Sequence, residues 1–244
     1  MAHGFKLLNA DGDTLLDTDD SARVLYQYAT SGSLTTSGYS QSGAEGSSYT
    51  RSYASASVNL SASLSGTDNL VFIRPKNQTG DVKAYARLAV NNTLYVYSDQ
   101  NHEIEYIVFE KASNKGMPTT GYGLLLLTSD AIPAVMFTSE SLAGRIRATI
   151  TGSADYSESG ADLFALGLSN LWKNWAYTVP GNTFLKVALT ERWVTLFKNT
   201  GEITMQQDVT NAQIQQDGSS PWSYYYSQSI RSMIIDTGGI TIGS

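Results

Sequence analysis

Three groups of residues in this 244-residue chain carry side chains able to do chemistry. The first is acidic: Asp11 and Asp13 flank Gly12, and Asp17, Asp19 and Asp20 follow closely. Clustered carboxylates suit a hard cation such as Ca²⁺, and two carboxylates roughly 5–9.5 Å apart can hydrolyse a glycoside. Two residues flanking one turn glycine do not hold a sugar between them. Gly12 is also out of place for an EF-hand loop, and no terminal Glu follows. A solvated hairpin turn with an acidic strand end is the plainer reading. The second group is His3 and His102, far apart in sequence and without other metal-type ligands at local spacing, whereas zinc needs several such ligands together. The third is aromatic: Trp222, Tyr224, Tyr225 and Tyr226, with Trp172, Trp175 and Tyr177 also in the second half and Tyr95 and Tyr97 in the first. Exposed Tyr and Trp make rigid amphipathic surfaces for carbohydrate or protein. Trp222, Tyr224 and Tyr226 are therefore the candidate ligand-binding residues, with core or subunit interface as the alternative.

No catalytic residue is assigned. Gly-x-Ser-x-Gly, the P-loop and the dinucleotide fingerprint are absent. His102 is the one plausible imidazole base, and nothing pairs it with a particular serine. The chain has no cysteine, which removes thiolate nucleophiles, thiolate metal sites and disulfides. The expectation is a non-enzyme without metal or cofactor.

The elements that would position these residues read as strands. Charged residues are 16% of the chain, below the usual ~25%. Their place is taken by Ser, Thr, 21 Gly and 15 Tyr; Tyr and Thr favour strands, Gly and Ser favour turns. A net charge of −6 lacks the basic footprint of nucleic-acid binding or polybasic lipid docking. No apolar run is long enough for a transmembrane helix, and no secretory signal is expected at the N-terminus.

The chain reads as two copies of one unit. His3-Gly4-Phe5-Lys6-Leu7-Leu8-Asn9-Ala10-Asp11 lines up with Tyr122-Gly123-Leu124-Leu125-Leu126-Leu127-Thr128-Ser129-Asp130. Arg23-Val24 then aligns with Arg145-Ile146, and Ile104–Glu110 with Ile230–Asp236. The expected architecture is all-β: two tandem related antiparallel β-sandwich or barrel-like domains, residues 1–115 and 120–244, joined by a linker rich in Gly, Thr and Asn.

Within these, Ala54 to Leu64 alternates small apolar residues with Ser and Asn, predicting a strand with one buried face. Val82 to Tyr97 predicts a hairpin around Asn91-Asn92, and Glu103 to Glu110 a further strand. Asn9 to Asp13 has hairpin-turn chemistry between Phe5–Leu8 and Thr14–Leu16. Ser31 to Ser57 reads as a long exposed loop or a pair of ribbon strands. Ser159 to Tyr177 reads as a short helix or an irregular excursion, because Ser159-Gly160-Ala161-Asp162 resembles a capping box and Phe164, Leu168, Leu171 and Trp175 fall at helical spacing.

The opening His3-Gly4-Phe5-x-x-x-Asn9-x-x-Gly12-x-x-Leu15-Leu16-Asp17 resembles the start of a family of small tailed-bacteriophage virion proteins, encoded among tail genes. His3 stands where that family more often has Tyr, and Tyr122 restores it in the second copy. The resemblance implies a virion structural protein of the distal tail (tip, hub or fibre-associated), assembled in the host bacterial cytoplasm and carrying no catalytic residues. Its implied partners are other phage structural proteins and copies of itself, as a symmetric oligomer, expected to be a homotrimer. Three copies would present six similar halves and so match a sixfold tail tube. Alternatives are a lectin-like module that binds a host receptor or glycan, a head-decoration or neck protein, and a depolymerase using Asp17 or Asp19.

Overall fold

The computed structural model describes residues 6–8, 14–17, 26–42, 50–61, 64, 69–111, 125–127, 135–138, 145–151, 154–159, 162–166, 172–178, 185–216, 223–224, 231–237 and 242–243; for some strands only the backbone and its pairing are described. The strands of the first half are β1 (Lys6–Leu8), β2 (Thr14–Asp17), β3 (Tyr26–Thr35), β4 (Ser40–Ser42), β5 (Thr50–Ser52), β6 (Ala54–Asn59), β7 (Leu70–Pro75), β8 (Val82–Leu88), β9 (Thr93–Ser98) and β10 (Glu103–Lys111). Those of the second are β11 (Leu125–Leu127), β12 (Val135–Thr138), β13 (Arg145–Thr151), β14 (Leu163–Leu166), β15 (Trp172–Thr178), β16 (Leu185–Phe197), β17 (Ile203–Gln216), β18 (Ser223–Tyr224) and β19 (Arg231–Asp236). The all-β class is thus established. No helix among the described residues is long and apolar enough to cross a membrane.

Two antiparallel sheets form the body. The first has the order β13-β19-β14-β7-β10-β3; the second runs β18-β15-β16-β8-β9-β6, with β17 on the other edge of β16. Period-two alternation sends Val71, Ile73, Ile104, Val108, Ala165 and Ile234 of the first sheet against Val82, Ala84, Leu94, Val96, Phe197 and Ile203 of the second. The first sheet is buried on its outer face too: Phe72, Ile107, Phe109, Phe164 and Ile235 are each at most 2% exposed there. That explains why Leu70–Ile73 and Met233–Ile235 are continuous apolar runs instead of alternating. Ile242 packs on this outer layer, and the Gly243 amide donates to Ser31 Oγ at 3.0 Å.

The two halves follow the same plan rung by rung. In the β3–β10 ladder Glu110 faces Gln27, Phe109 faces Tyr28 and Val108 faces Thr30, with Ala29 bulged out. In the β13–β19 ladder Asp236 faces Arg145, Ile235 faces Ile146 and Ile234 faces Ala148, with Arg147 bulged out. The hairpins β1–β2 and β11–β12 also match, each slipping register after its second rung. The four-residue turns at Ala89–Asn92 and Lys198–Gly201 close with the same two backbone hydrogen bonds. Their fourth residues, Asn92 and Gly201, both have positive φ, 63° and 88°. Val58 faces Leu94 in one half where Tyr156 faces Ile203 in the other. The equivalence of Ile104–Glu110 with Ile230–Asp236 therefore holds. The alignment of Arg23-Val24 with Arg145-Ile146 is corrected, since the ladder sets Gln27, four residues later, against Arg145.

Each half contributes a layer to each sheet, and the halves join edge to edge through β14–β7 in one sheet and β16–β8 in the other. Both joints pair equivalent strands antiparallel. Phe72 and Leu166, which are equivalent, face each other at the first joint. At the second, Ala84 faces Thr195, which brings the equivalent residues Tyr85 and Val194 together in one buried cluster. A pseudo-twofold axis thus passes through both sheets.

Two excursions break the symmetry. In the first half β4 and β5 form a ribbon, so the described part of Ser31–Ser57 follows the ribbon-strand alternative. In the second half β16 and β17 run on past the joint and are flanked by β15 and β18. Ser159–Tyr177 is corrected as well: its described part is the strands β14 and β15. Leu163 and Ala165 face the inner core while Phe164 and Leu166 face the outer one, a period of two that overrides the helical spacing. The Ala54–Leu64 strand is regular only to Asn59, with alternating burial as expected.

Candidate functional site

The outer face of the second sheet carries a row of aromatic side chains. β8 and β9 lie side by side, with Tyr85 opposite Tyr97 and Arg87 opposite Tyr95. On the far side of β9, Ser55 faces Tyr97 and Ser57 faces Tyr95. Period-two alternation sends Leu94 and Val96 into the core and turns Tyr95 and Tyr97 outward. Tyr85 and Tyr97 stack at 4.5 Å with 11° between their planes, and Tyr97 continues to Tyr95 at 6.4 Å and 20°. Tyr53 packs edge-on against Tyr85 at 5.5 Å. The Arg87 guanidinium lies 5.2 Å over the Tyr95 ring.

Burial is graded along this row. Tyr53 and Tyr85 are buried, Tyr95 and Tyr97 half-buried, and Arg87, Ser55 and Ser57 exposed. The row therefore has an anchored end and an open end. The open end holds the Tyr95 and Tyr97 hydroxyls, a guanidinium in no ion pair among the described residues, and two serine hydroxyls.

A cleft of about 230 Å³ at one end of the sandwich is lined by Arg74, Gln78, Glu158, Lys198 and Glu202 among others. Its charges are already spent. Arg74 pairs with Glu105 at 2.6 Å and with Asp162, and lies 4.4 Å over Phe164. Lys198 bridges Asp155 at 2.7 Å and Glu202 at 3.0 Å. These hydrogen bonds raise the Lys198 pKa and lower that of Asp155. Gln78 donates to the carbonyls of Gly80 and Phe197. This corner is a seam that ties β7 and β10 of one half to β14 of the other.

Of the residues singled out in the sequence, Tyr224 lies on β18, opposite Asn174 of β15. Trp222 and Tyr226 lie outside the described residues, so that patch is not assembled here. Trp172, Trp175 and Tyr177 all belong to β15. Asp17 pairs with Lys6 at the end of the first hairpin. His3, Asp11, Asp13, Asp19 and Asp20 lie outside the described residues. His102 exchanges hydrogen bonds with Thr36 through its main chain, and its buried Nε2 has no partner. No group of three metal-ligating side chains occurs among the described residues. Tyr95 and Tyr97 were noted in the sequence, whereas Tyr53, Tyr85 and Arg87 were missed. The signal was present: Tyr85 and Arg87 alternate on one strand just as Tyr95 and Tyr97 do on the next.

No family model, curated protein or solved structure matches the chain.

Proposed function

We propose that this chain is a non-enzymatic structural protein of a tailed-bacteriophage virion, built into the distal tail at the tip, hub or fibre attachment. It assembles as a symmetric oligomer with copies of itself and with other virion proteins. The observation that carries this reading is the repeated hairpin. Of the motif resembling the phage family, Leu15, Leu16 and Asp17 lie on β2, and the hairpin β1–β2 and its counterpart β11–β12 slip register in the same way. Joining both halves through both sheets makes one stiff body, as a fixed position in an assembly requires. A surface with only 16% charged residues in the chain suits burial between subunits. Native mass measurement at micromolar concentration, alone and with other tail proteins, should give a symmetric oligomer or a mixed complex. A monomer that joins nothing overturns the reading. Antibody labelling of virions separates the distal tail from a head-decoration or neck position.

A second reading, a lectin-like module that binds a host-surface glycan, is favoured by the open end of the tyrosine row. Aromatic faces stack on sugar rings, and the hydroxyls beside them can bond to sugar hydroxyls. Binding of the intact protein to glycans, with and without Tyr95→Ala, tests it.

A further inference from the structure

We infer that the open end of the tyrosine row binds an acidic glycan, with Tyr95 and Tyr97 stacking on a pyranose ring and Arg87 taking the carboxylate of a uronate. This rests on the second reading above and specifies its ligand.

Stacking alone would accept any sugar. The selectivity lies in Arg87. In a chain of net charge −6, this exposed cation makes no ion pair among the described residues, and the Tyr95 ring lies below it at 5.2 Å. No acidic side chain occupies the neighbouring rungs, which are Tyr85–Tyr97–Ser55 and Arg87–Tyr95–Ser57. The contrast with Arg74 and Arg147 is direct, because each of those is held by carboxylates. A guanidinium held over a ring by its charge keeps its N–H fork able to engage a planar carboxylate through two parallel bonds. The tyrosine row holds that fork in place, so little side-chain freedom is lost on binding. A uronate supplies both parts: an apolar ring face for the tyrosines and a carboxylate at the ring's edge for Arg87. Ser55 and Ser57 lie along the other side of the row, where ring hydroxyls would fall.

The test measures binding of the intact protein to a panel of uronate oligomers (galacturonate, alginate and hyaluronan fragments) and to neutral maltoheptaose, by calorimetry at low and high salt. The expected result is binding of at least one uronate oligomer, weakening with salt, and weaker binding of maltoheptaose. Arg87→Ala should reduce uronate affinity by about tenfold or more and reduce maltoheptaose binding much less. Arg87→Lys should restore only part of the loss, since it keeps the charge and removes the fork. Tyr95→Ala should weaken both ligands. Arg87 is exposed, so its variants keep the fold, which circular dichroism checks. Equal binding of acidic and neutral oligomers, or uronate binding indifferent to Arg87→Ala, overturns the inference and leaves the glycan reading standing. Binding of no oligomer overturns both.

Discussion

Gly32 lies directly opposite Tyr106 in the β3–β10 ladder, and a Cβ on Gly32 would stand 2.7 Å from the tyrosine hydroxyl oxygen. The equivalent rung in the other half is Ile150 opposite Ser232. Large and small have exchanged strands while the rung stays filled, the compensation a close-packed core demands. Burial raises the Tyr106 pKa, and Tyr28 adds to the effect. Gly32→Ala should destabilise the protein by about 1–3 kcal/mol through overpacking. Gly32→Ile combined with Tyr106→Ser rebuilds the rung of the second half and should regain much of what Gly32→Ile alone loses. Urea unfolding midpoints of the three variants decide this, and a double variant no better than the single one refutes the exchange.

Arg147 is the bulged residue of β13, and its Nη2 donates to Asp236 at 2.7 Å. The Asp236 side chain is only 10% exposed, whereas that of Arg147 is 33% exposed. Arg147→Ala should lower the urea unfolding midpoint, because a nearly buried carboxylate loses its charged donor. The first half has Ala29 at the equivalent bulge, packed on the inner core.

Acid should weaken the fold at identifiable places. Glu103 is held below its usual 4.5 by a hydrogen bond from Ser33, then by Lys76; Asp155 is held below 3.8 by Lys198. A carboxylate with a depressed folded pKa contributes stability that is present above the unfolded value and lost as pH falls through the folded one. Glu103→Gln should therefore be less stable than the native chain at neutral pH, and the gap should close below pH 4.5. A gap that persists unchanged into strong acid contradicts the assignment.

The pseudo-twofold axis predicts how a half behaves alone. Residues 1–115 leave the β7 and β8 edges open where the second half pairs with them, and open edges recruit strands. Because the missing partner strands are equivalents of the fragment's own, two fragments can close both joints on each other. Sedimentation should show a dimer, and a well-folded monomer would contradict the axis. In the whole chain Phe72, 2% exposed and edge-on to Phe109 at 5.7 Å, sits on that axis. Phe72→Ala should cost about 3–5 kcal/mol.

Much of this was legible in the sequence, for reasons particular residues make clear. Ala54 to Asn59 alternates because only one of its faces is covered, and Asn91-Asn92 marks a turn because Asn tolerates positive φ. Ile104–Glu110 and Ile230–Asp236 align because both lie at the centre of a three-strand unit and keep their apolar residues. The edge strands β3 and β13 escaped alignment: a bulge shifts parity in each, and the Gly32/Ile150 exchange erases the shared pattern. The joints were invisible, since nothing local to Phe72 or Leu166 says that they meet. Arg87 was missed for the same reason. Its meaning comes from the neighbouring strand, where Tyr95 lies under it and the described rungs beside it carry no acid.

A body that looks alike after half a turn offers a partner two equal ways to attach. Among the described residues that ambiguity is lifted most visibly by the β4–β5 ribbon and the prolonged β16–β17 hairpin, and β5 lies against β17. The two departures from symmetry therefore meet, giving the molecule a single marked flank. Any assembly that must insert this protein in one orientation has to read its heading there.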